Sequence, residues 1–468
     1  MVRNRKVFKK TVSIVNEKST DMYESLVGDK KGFLLESYDK NYDRYTFFGM
    51  EPEEIVTSRG NALVITKADG TEEVREGNPL ERLKEYYSEF YIEKEDEELS
   101  FSGGLVGNLG YDFVRYSEVL PDNNPDEIGI ETIQMMLMTS FLMVDHVAET
   151  LTAVVLEEPS EEGREQAMEK AGQMIKKAME KKECRRNFYH DGKIIKKSDS
   201  IEEYGEKVEK IKHYIREGHV FQTVLSQRWT IETRQTGFEL YKELRELNPS
   251  PYLYYFNYGT FEVIGSSPEM IVKKQGNKVF TCPIAGTRKR GKDEAEDKRL
   301  RDELLSDEKE RAEHVMLVDL ARNDMGRISE FGTVKVTQFM EVQNYSHVMH
   351  IVSQVEGRKK GESHPLDLVA SFLPAGTLSG APKIRAMEII DELESVRRGL
   401  YGGATGYIDF SGDMDFCITI RTMVKKGNEV YLQAGAGIVA DSVPENEYYE
   451  CCNKVMALAK TLVEEENL

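Results

Sequence analysis

Short apolar or alternating runs between turn-forming residues are the feature that most limits the fold. Over residues 1–155 they are FLLES, YTFFG, ALVIT, FSGGLVGNLGYD, MMLMTSFLMV and LTAVVLEE. Runs of this length and composition, bounded by Gly, Asn, Asp or Ser, predict strands. One helix interrupts them at NPLERLKEYYSEFY, where Pro79 suits the first helical turn. The amino-terminal part is therefore expected to be rich in β-structure.

Beyond residue 200 the predicted helices and strands are mixed. Helices are expected at 201–217, 307–323, 382–394 and 444–464, and strands near 252–257, 278–281, 345–356, 403–410, 415–424 and 430–434. This order favours an α+β protein with antiparallel sheets over regular βαβ units. The polar stretch 157–182 predicts a surface helix at a domain boundary. We expect a strand-rich region, 1–185, followed by a second domain, 200–465.

Composition excludes several classes of protein. The net charge of −20 argues against a nucleic-acid partner, because phosphate binding needs a basic face. The basic start lacks the apolar core of a signal peptide, and the most apolar stretch, 133–144, is too short to span a bilayer. The five cysteines form no CxxC pair. These features favour a protein of the reducing cytoplasm, with no membrane partner.

The last predicted helix carries one pair of carboxylates. Cys451, Val455, Leu458 and Leu462 form its apolar stripe. Glu447, Glu450 and Lys454 lie on a second stripe beside it rather than opposite to it. One interpretation is a surface ion pair between Glu450 and Lys454, which contributes about 0.3 kcal/mol. The other is a pair of metal ligands.

A second carboxylate pair lies in SDEKERAEHVMLVDLARND. Ser306 is the expected N-cap, and the segment 315–321 is apolar all round apart from Asp319, which predicts burial on every side. Glu310 and Glu313 lie on one face at its entrance, and their mutual repulsion grows as water is removed. A Mg²⁺ ion bound by these oxygens and by substrate would relieve that repulsion. Two solvated glutamates are the alternative.

Three predicted loops are rich in small residues: QAGAG (433–437), between a strand and the last helix, AGTLSGAPK (375–383) and CPIAGT (282–287). Each could be an ordinary turn, or could bring backbone N–H groups close to an anion. Arg421, on a predicted strand, could bind a carboxylate or form a rim ion pair. His350 could be a structural residue or a general acid. Together these features indicate a Mg²⁺-dependent enzyme acting on a small carboxylate.

These segments resemble the chorismate-utilising enzymes over nearly the whole chain. The motifs that carry the resemblance are VFQTVLSQR (220–228), PIAGTRKRG (283–291), ERAEHVMLVDLARND (310–324), SHVMHIVSQVEG (346–357), LPAGTLSGAPK (373–383), GLYGGATGY (399–407), DFCITIRT (415–422) and QAGAGIVADSVPENEYYE (433–450). No single motif would be specific, but their combination is. The resemblance implies two antiparallel sheets packed at a steep angle, with flanking helices and a cleft that binds chorismate and Mg²⁺.

The resemblance also implies roles for individual residues. Glu313 and Glu450 would coordinate the metal directly, and Glu310 and Glu447 would support it. His350 would be the general acid or base next to the departing C4 hydroxyl. The residues expected to bind the pyruvyl carboxylate, the ring and its substituents are Arg421, Tyr401, Lys454, Gly435, Ala436, Gly437, Thr377, Thr287, Gly286 and Ala285.

Two positions divide the reactions within this family. Position 222 is glutamine, whereas members that add water to make isochorismate carry a lysine base there, and Gln222 cannot deprotonate water. Position 285 is alanine, whereas aminodeoxychorismate synthases tend to carry a nucleophilic lysine. The combination resembles the large subunits of anthranilate synthases. An aminodeoxychorismate synthase without that lysine and a non-catalytic sensor built on the same fold are the alternatives.

The resemblance further implies a partner and an inhibitor. None of the cysteines lies in a Gly-x-Cys-x-Gly elbow, so ammonia would come from a separate glutamine amidotransferase subunit, in a heterodimer or a heterotetramer. The segments LLES (34–37) and NPSPYLYYF (248–256) resemble those that form a regulatory site for L-tryptophan. The residues expected to bind tryptophan are Glu36, Ser37, Asn248, Pro251 and Tyr252.

Overall fold

The computed structural model describes residues 3–15, 17–37, 44–93, 99–180, 190–344, 348–361 and 363–464. Its strands are β1 Arg3–Ser13, β2 Gly32–Glu36, β3 Tyr45–Met50, β4 Glu54–Ser58, β5 Ala62–Lys67, β6 Glu72–Glu76, β7 Phe90–Glu93, β8 Gly104–Leu109, β9 Ile133–Met138, β10 Ser140–Asp145, β11 Thr150–Glu157, β12 Lys193–Lys197, β13 Gln222–Glu232, β14 Tyr252–Asn257, β15 Glu262–Ser267, β16 Met270–Gln275, β17 Lys278–Thr281, β18 Ile284–Lys289, β19 Lys335–Asn344, β20 Val348–Arg358, β21 Gly380–Ala381, β22 Ala404–Asp409, β23 Met414–Ile418, β24 Thr422–Lys426 and β25 Glu429–Ile438.

Helices lie between these strands along the chain. They are α1 Ser19–Leu26, α2 Pro79–Tyr87, α3 Glu161–Ala178, α4 Ile201–Arg216, α5 Gly237–Leu247, α6 Glu294–Ser306, α7 Glu308–Ile328, α8 Pro365–Phe372, α9 Lys383–Leu393 and α10 Pro444–Ala459, with short 3₁₀ helices at Tyr111–Tyr116 and Gly376–Leu378. Local chemistry fixes several helix starts. Pro79 opens α2 as predicted, and Ser200 and Glu203 form a reciprocal capping box at α4.

The strands form two large sheets. The first sheet has the order β12-β13-β25-β24-β15-β14-β2-β3-β10-β11-β1-β7, with β21 beside β13. The second has the order β18-β20-β17-β16-β23-β22-β8-β9-β4-β5-β6, with β19 beside β20. In the part of the chain that the structure describes, every strand pairing is antiparallel except that of β1 with β7. The predicted α+β class with antiparallel sheets is confirmed.

The two sheets pack on each other and carry helices on their outer faces. The core between them joins side chains of both sheets, such as Phe33 and Phe256 of the first and Val106 and Met136 of the second. A second core lies between the first sheet and helices including α4 and α10, and a third lies between the second sheet and helices including α2 and α7. The steep angle between the sheets stays a prediction.

Strands from both halves of the chain lie side by side in each sheet. In the first sheet β2 pairs with β14, and in the second β8 pairs with β22. The predicted boundary helix is present as α3, while part of the following stretch, 181–189, lies outside the described residues. The division into 1–185 and 200–465 stays a prediction.

The predicted strands of the amino-terminal half are present, with one refinement. MMLMTSFLMV contains the end of β9 and most of β10, and these two strands belong to different sheets. The chain therefore crosses between the sheets at Thr139. Within the described residues, no helix combines the length and the apolar character that a membrane span requires.

Candidate active site

Two crossings between the sheets lie side by side and form the centre of the candidate site. The chain passes from β15 to β16 through Pro268 and Glu269, and from β23 to β24 through the segment that ends at Arg421. The Ser266 N–H donates to the Arg421 carbonyl over 3.1 Å, and the Ile418 N–H donates to the Glu269 carbonyl over 2.9 Å. Two backbone hydrogen bonds thus hold Glu269 and Arg421 at the line where the sheets separate.

Arg421 does not lie in a strand, so the continuous strand predicted for 415–424 is wrong. β23 ends at Ile418 and β24 begins at Thr422. Arg421 has a φ of +49°, in the left-handed region that interrupts the alternation of a strand. The alternation of side chains along β23 therefore does not continue beyond Ile418.

Within the ranges that the structure describes, the Arg421 guanidinium has no carboxylate partner. It forms no ion pair with any described residue, although its side chain reaches solvent. Burial within the surrounding protein lowers its pKa, and no described carboxylate offsets that effect. A solvent-accessible guanidinium without a described carboxylate partner suits a ligand carboxylate, because a fork of two N–H donors matches two carboxylate oxygens.

Glu269 is a buried carboxyl that carries a proton at neutral pH. Burial raises its pKa to about 8, and the hydrogen bond that the Thr377 hydroxyl donates over 3.2 Å opposes this rise only in part. Both side chains line a small cavity of about 40 Å³ that also contacts α7. A protonated carboxyl at such a position can donate a proton to a reacting group.

His350 is fixed by the bulged strand β18. Its Nδ1–H donates to the Gly286 carbonyl over 2.8 Å, and Thr287 Oγ1 lies 3.1 Å from the same nitrogen. The bulge falls between Ala285 and Thr287, and Gly286 has a φ of +66°, which favours glycine. Burial lowers the pKa of His350 and nearby Arg421 lowers it further, while the carbonyl contact raises it. The neutral ring then has its lone pair on Nε2.

QAGAG is not a loop: the whole motif lies inside β25, so the predicted loop is wrong. The residues are small because neighbouring side chains lie close to the backbone of the strand. A Cβ on Gly437 would lie 2.3 Å from Gln222 Nε2, and one on Gly435 would lie 2.9 Å from the Tyr401 hydroxyl. These glycines let Gln222 and Tyr401 pack against the strand backbone. CPIAGT likewise enters strand β18 at Ile284.

The carboxylates of α7 and α10 converge electrostatically. Burial raises the pKa of Glu313, and the charges of Glu310 and Glu450 raise it further. Burial also raises the pKa of Glu447, and the charge of Glu450 raises it further. Glu450 forms the expected ion pair with Lys454 over 2.8 Å, and Lys454 also donates to the Gly435 carbonyl over 2.8 Å. The two pairs therefore share one region, next to β25.

Two details of α7 differ from prediction. Its N-cap is Asp307, whose side chain accepts from two N–H groups, while Ser306 ends the preceding helix α6. The segment 315–321 is not buried on every side, because Val315 is 41% exposed and Asp319 is exposed too. Val315 and Asp319 are four residues apart and form a solvent-facing stripe on α7.

The donor set suits a hard cation, but the ligands are not assembled. Among the described residues, no three His, Cys, Asp or Glu side chains lie close enough together to hold a metal ion. Glu310 instead contacts Arg288 at 3.4 Å, and Glu450 contacts Lys454. The carboxylate oxygens are those that Mg²⁺ prefers, and the mutual repulsion at Glu313 is what a cation would relieve. Metal coordination stays a prediction.

A second, larger cavity of about 190 Å³ borders the crossing from β15 to β16. Four of the five predicted tryptophan-site residues line it: Glu36, Ser37, Pro251 and Tyr252. Asn248 does not, since its side chain donates to the Ala457 carbonyl of α10 over 3.0 Å. The hydroxyls of Ser37 and Ser100 are buried at this cavity and have no hydrogen-bond partner among the described residues.

Comparison with known proteins then assigns the fold and the cleft to a family. A family model described as chorismate binding enzyme matches residues 32–460. The chain belongs to the chorismate binding enzyme family. This confirms the family resemblance found in the sequence motifs.

Relatives of known name align over most of their length. Anthranilate synthase component 1 of Acetivibrio thermocellus is 46% identical over 445 residues, which cover 92% of this chain and 90% of that protein. The protein of the same name from Aquifex aeolicus is 44% identical over 441 residues, which cover 92% and 88% of the two chains.

Solved structures agree with the family assignment. Anthranilate synthase component I from Streptococcus pneumoniae aligns with a TM-score of 0.80 at 38% identity, over 89% of this chain and 92% of that one. The menaquinone-specific isochorismate synthase of Escherichia coli shares the fold, with a TM-score of 0.74 at 17% identity over 99% and 95% of the chains.

In this chorismate binding enzyme, the structure places most of the predicted residues in two groups of neighbours. His350, Gly286, Thr287 and Ala285 lie on neighbouring strands β18 and β20, and Arg421 acts electrostatically on His350. Gln222, Ala436, Gly437, Gly435, Tyr401 and Lys454 lie along β25 and its neighbours. Their individual roles stay predictions.

Sequence reasoning missed Glu269. The only sequence signal is a glutamate that follows Ser-Pro between two apolar runs, in SSPEMIV. That pattern predicts a turn and says nothing about burial. The high pKa of Glu269 comes from tertiary packing around the crossing, which single-sequence patterns do not report.

We expect one carboxyl of the folded protein to titrate near pH 8. The group is protonated below that pH and ionised above it, because burial disfavours the carboxylate. Carbon-13 NMR of labelled glutamate side chains would follow this titration in the wild type and in Glu269→Gln. Loss of the signal in the variant is the expected result. A wild-type protein whose carboxyls all titrate below pH 6 would contradict the assignment.

Proposed function

We propose that this chain is the chorismate-converting component of an anthranilate synthase. It would convert chorismate and ammonia to anthranilate, pyruvate and water, at the start of tryptophan biosynthesis. The observation that carries the proposal is that positions 222 and 285, on the strands that line the cleft, hold Gln222 and Ala285 rather than lysine. The high identity to relatives named anthranilate synthase component 1 supports it.

The two residues favour ammonia as the nucleophile over water or a side chain. An amide cannot accept a proton from water at neutral pH, so Gln222 cannot generate hydroxide. The methyl group of Ala285 can form no covalent bond to the substrate. Ammonia is itself a nucleophile and needs neither group.

The proposed reaction has two stages. Ammonia adds to C2 of chorismate as the bond between C4 and its hydroxyl breaks, and the oxygen leaves as water after taking up a proton. Loss of the C2 proton then accompanies cleavage of the bond between C3 and the enolpyruvyl oxygen. Pyruvate leaves after protonation of its methylene carbon, and the ring becomes aromatic.

The residues of the cleft suit these steps. Glu269, which is protonated at neutral pH, can supply the proton that the C4 oxygen needs. Neutral His350, whose Nδ1–H is held by the Gly286 carbonyl, can accept a proton at Nε2. Arg421 and Tyr401 would bind the pyruvyl carboxylate, while Thr287 and Thr377 would orient the ring.

We assign the metal to Glu313 and Glu450, with Glu310 and Glu447 in support. A Mg²⁺ ion bound there would neutralise charge on the ring carboxylate. The pKa shifts of Glu313 and Glu447 support the assignment, because each carboxylate already feels the charge of its neighbours.

A glutamine amidotransferase subunit is the proposed ammonia source. Ammonia must reach C2 unprotonated, and most ammonia in neutral water is ammonium. The free cysteines described support a separate source: Cys417, Cys451 and Cys452 are buried in a strand or a helix, where burial raises the pKa of Cys451 to about 12. The cytoplasm is the proposed location, and a heterotetramer is one proposed assembly.

Feedback inhibition by L-tryptophan is proposed at the 190 Å³ cavity. A cavity of about 150 Å³ admits a benzene ring, so this one has room for an aromatic ligand. The unpartnered hydroxyls of Ser37 and Ser100 could bind polar groups of such a ligand. Pro268 and Met270 line the same cavity and flank Glu269, which offers a direct mechanical link to the catalytic side.

The function is tested by incubating the protein with chorismate, ammonium and Mg²⁺. Anthranilate fluorescence with an equal amount of pyruvate is the expected result, lost when EDTA removes the metal. Glu313→Gln and Glu450→Gln should each lower turnover at least about 100-fold with an unchanged circular dichroism spectrum, since metal ligation is lost. Glu206→Gln, which neutralises an exposed glutamate of α4, is the control.

Two outcomes would contradict the proposal. Aminodeoxychorismate formed without pyruvate would assign the chain to the alternative synthase, and no product at all would favour a non-catalytic protein. Full turnover by Glu313→Gln would remove that residue from the metal site.

Ser37→Phe should abolish inhibition by tryptophan and leave uninhibited turnover unchanged. The ring would fill the cavity from its wall while the catalytic cleft stays intact. The measurement is the tryptophan dependence of anthranilate formation, with Ser117→Phe, at an exposed position, as control. Inhibition of Ser37→Phe at wild-type concentrations of tryptophan would place the effector elsewhere.

A further inference from the structure

Arg398 is a fully buried arginine in the connection between α9 and β22. Its side chain is 1% exposed and pairs with Glu394, which is 4% exposed. Nε donates to Glu394 over 2.9 Å and Nη2 donates to the other oxygen over 2.6 Å. This is the two-pronged geometry that a guanidinium forms with a carboxylate, and lysine cannot reproduce it.

The remaining donors of Arg398 reach two backbone segments of the cleft. Nη1 donates to the Leu378 carbonyl over 2.6 Å, and Nη2 donates to the Val224 carbonyl over 2.8 Å. Leu378 directly follows Thr377, and Val224 lies two residues after Gln222 on β13. One side chain therefore ties the turn that carries Thr377 to the strand that begins at Gln222.

The faces of the guanidinium contact two tyrosines. Its central carbon lies 4.6 Å from the centre of the Tyr111 ring and 5.6 Å from that of Tyr401. The Tyr401 hydroxyl packs beside Gly435 of β25. Arg398 thus also limits where the Tyr401 ring can lie.

Glu394 extends the connection to β13. The same oxygen that accepts from Nη2 also accepts from the Ser226 N–H over 2.9 Å and from the Ser226 hydroxyl over 2.7 Å. Five groups from four segments therefore converge on one buried ion pair: the turn at Leu378, Val224 and Ser226 of β13, and the rings of Tyr111 and Tyr401. Buried pairs with satisfied hydrogen bonds favour one arrangement over others.

We propose that Arg398, held by Glu394, is a positioning residue of the active site that fixes Thr377, Gln222 and Tyr401 relative to one another. This inference rests on the proposed function. Arg398 acts on the reaction through these three residues, since Nε, Nη1 and Nη2 each already donate to a protein acceptor. Its effect should therefore appear in the rate of the chemical steps, where small displacements of positioned groups matter most.

The test is Arg398→Lys, which keeps the positive charge and loses the fork. We expect kcat for anthranilate formation to fall about 100-fold with KM for chorismate within about threefold, because the groups are present but misplaced. In a Thr377→Ala background the same change should lower kcat less, by about 10-fold, because the part of its effect that passes through Thr377 is already lost while the parts through Gln222 and Tyr401 remain. A crystal structure of Arg398→Lys should show the Thr377 hydroxyl beyond hydrogen-bond distance of Glu269.

Arg115→Lys is the matched control. Arg115 is also largely buried and also joins carboxylates, Asp112 and Asp391, to a backbone carbonyl, that of Pro121. Its replacement should leave kcat within about twofold of wild type, since it reaches no residue of the cleft. If Arg398→Lys does not fold, Glu394→Gln applies the same test, because it weakens the hold on the guanidinium while keeping the shape of the side chain.

The inference is overturned if Arg398→Lys keeps wild-type kcat, or if its effect multiplies fully with that of Thr377→Ala. It is also overturned if the variant's Thr377 still bonds Glu269. The position of Thr377 in the crystal structure is measured without turnover, so it separates the two proposals. A wild-type protein that makes no anthranilate contradicts the proposed function. An undisturbed Thr377 in the variant contradicts the role of Arg398.

Discussion

The site depends on two neighbouring backbone hydrogen bonds that join the crossings between the sheets. The Ser266 N–H bonds to Arg421, and the Ile418 N–H bonds to Glu269. Together they hold the backbones of Glu269 and Arg421 at the two crossings. The crossings therefore carry one buried carboxyl, whose pKa burial raises to about 8, and one arginine that has no carboxylate partner among the described residues.

Small residues allow the rest of the cleft to form around these groups. Gly435 and Gly437 let the backbone of β25 approach Tyr401 and Gln222, and Gly286 adopts the positive φ that turns its carbonyl toward His350. A side chain at any of these positions would push a functional group away. Ile284 of β18 and Val352 of β20 line the 190 Å³ cavity, so the two strands that hold Gly286 and His350 also border that cavity.

Much of the architecture could be predicted from local patterns. The strands 252–257 and 278–281 were predicted with the bounds that the structure shows, because alternation and turn residues are local signals. Arg421 and QAGAG were placed wrongly for physical reasons. The positive φ of Arg421 depends on the sheet crossing, and small residues in β25 serve close packing rather than a turn.

Properties that depend on tertiary burial could not be predicted. Helix α7 looked buried on every side, yet Val315 faces solvent because α7 packs on the sheet along one side only. Glu269 and Arg398 gave no usable signal, since a carboxyl or a guanidinium looks the same in sequence whether it is buried or exposed. The carboxylate pairs were recognised by spacing, but their convergence from α7 and α10 is a property of the fold.

A crystal structure with chorismate and Mg²⁺ tests the central claim most directly. The account predicts a substrate carboxylate within about 3 Å of the Arg421 guanidinium, with the C4 oxygen of the ring facing Glu269. Electron density for chorismate elsewhere, with Arg421 directed into bulk solvent and Glu269 out of reach of the ring, would contradict it.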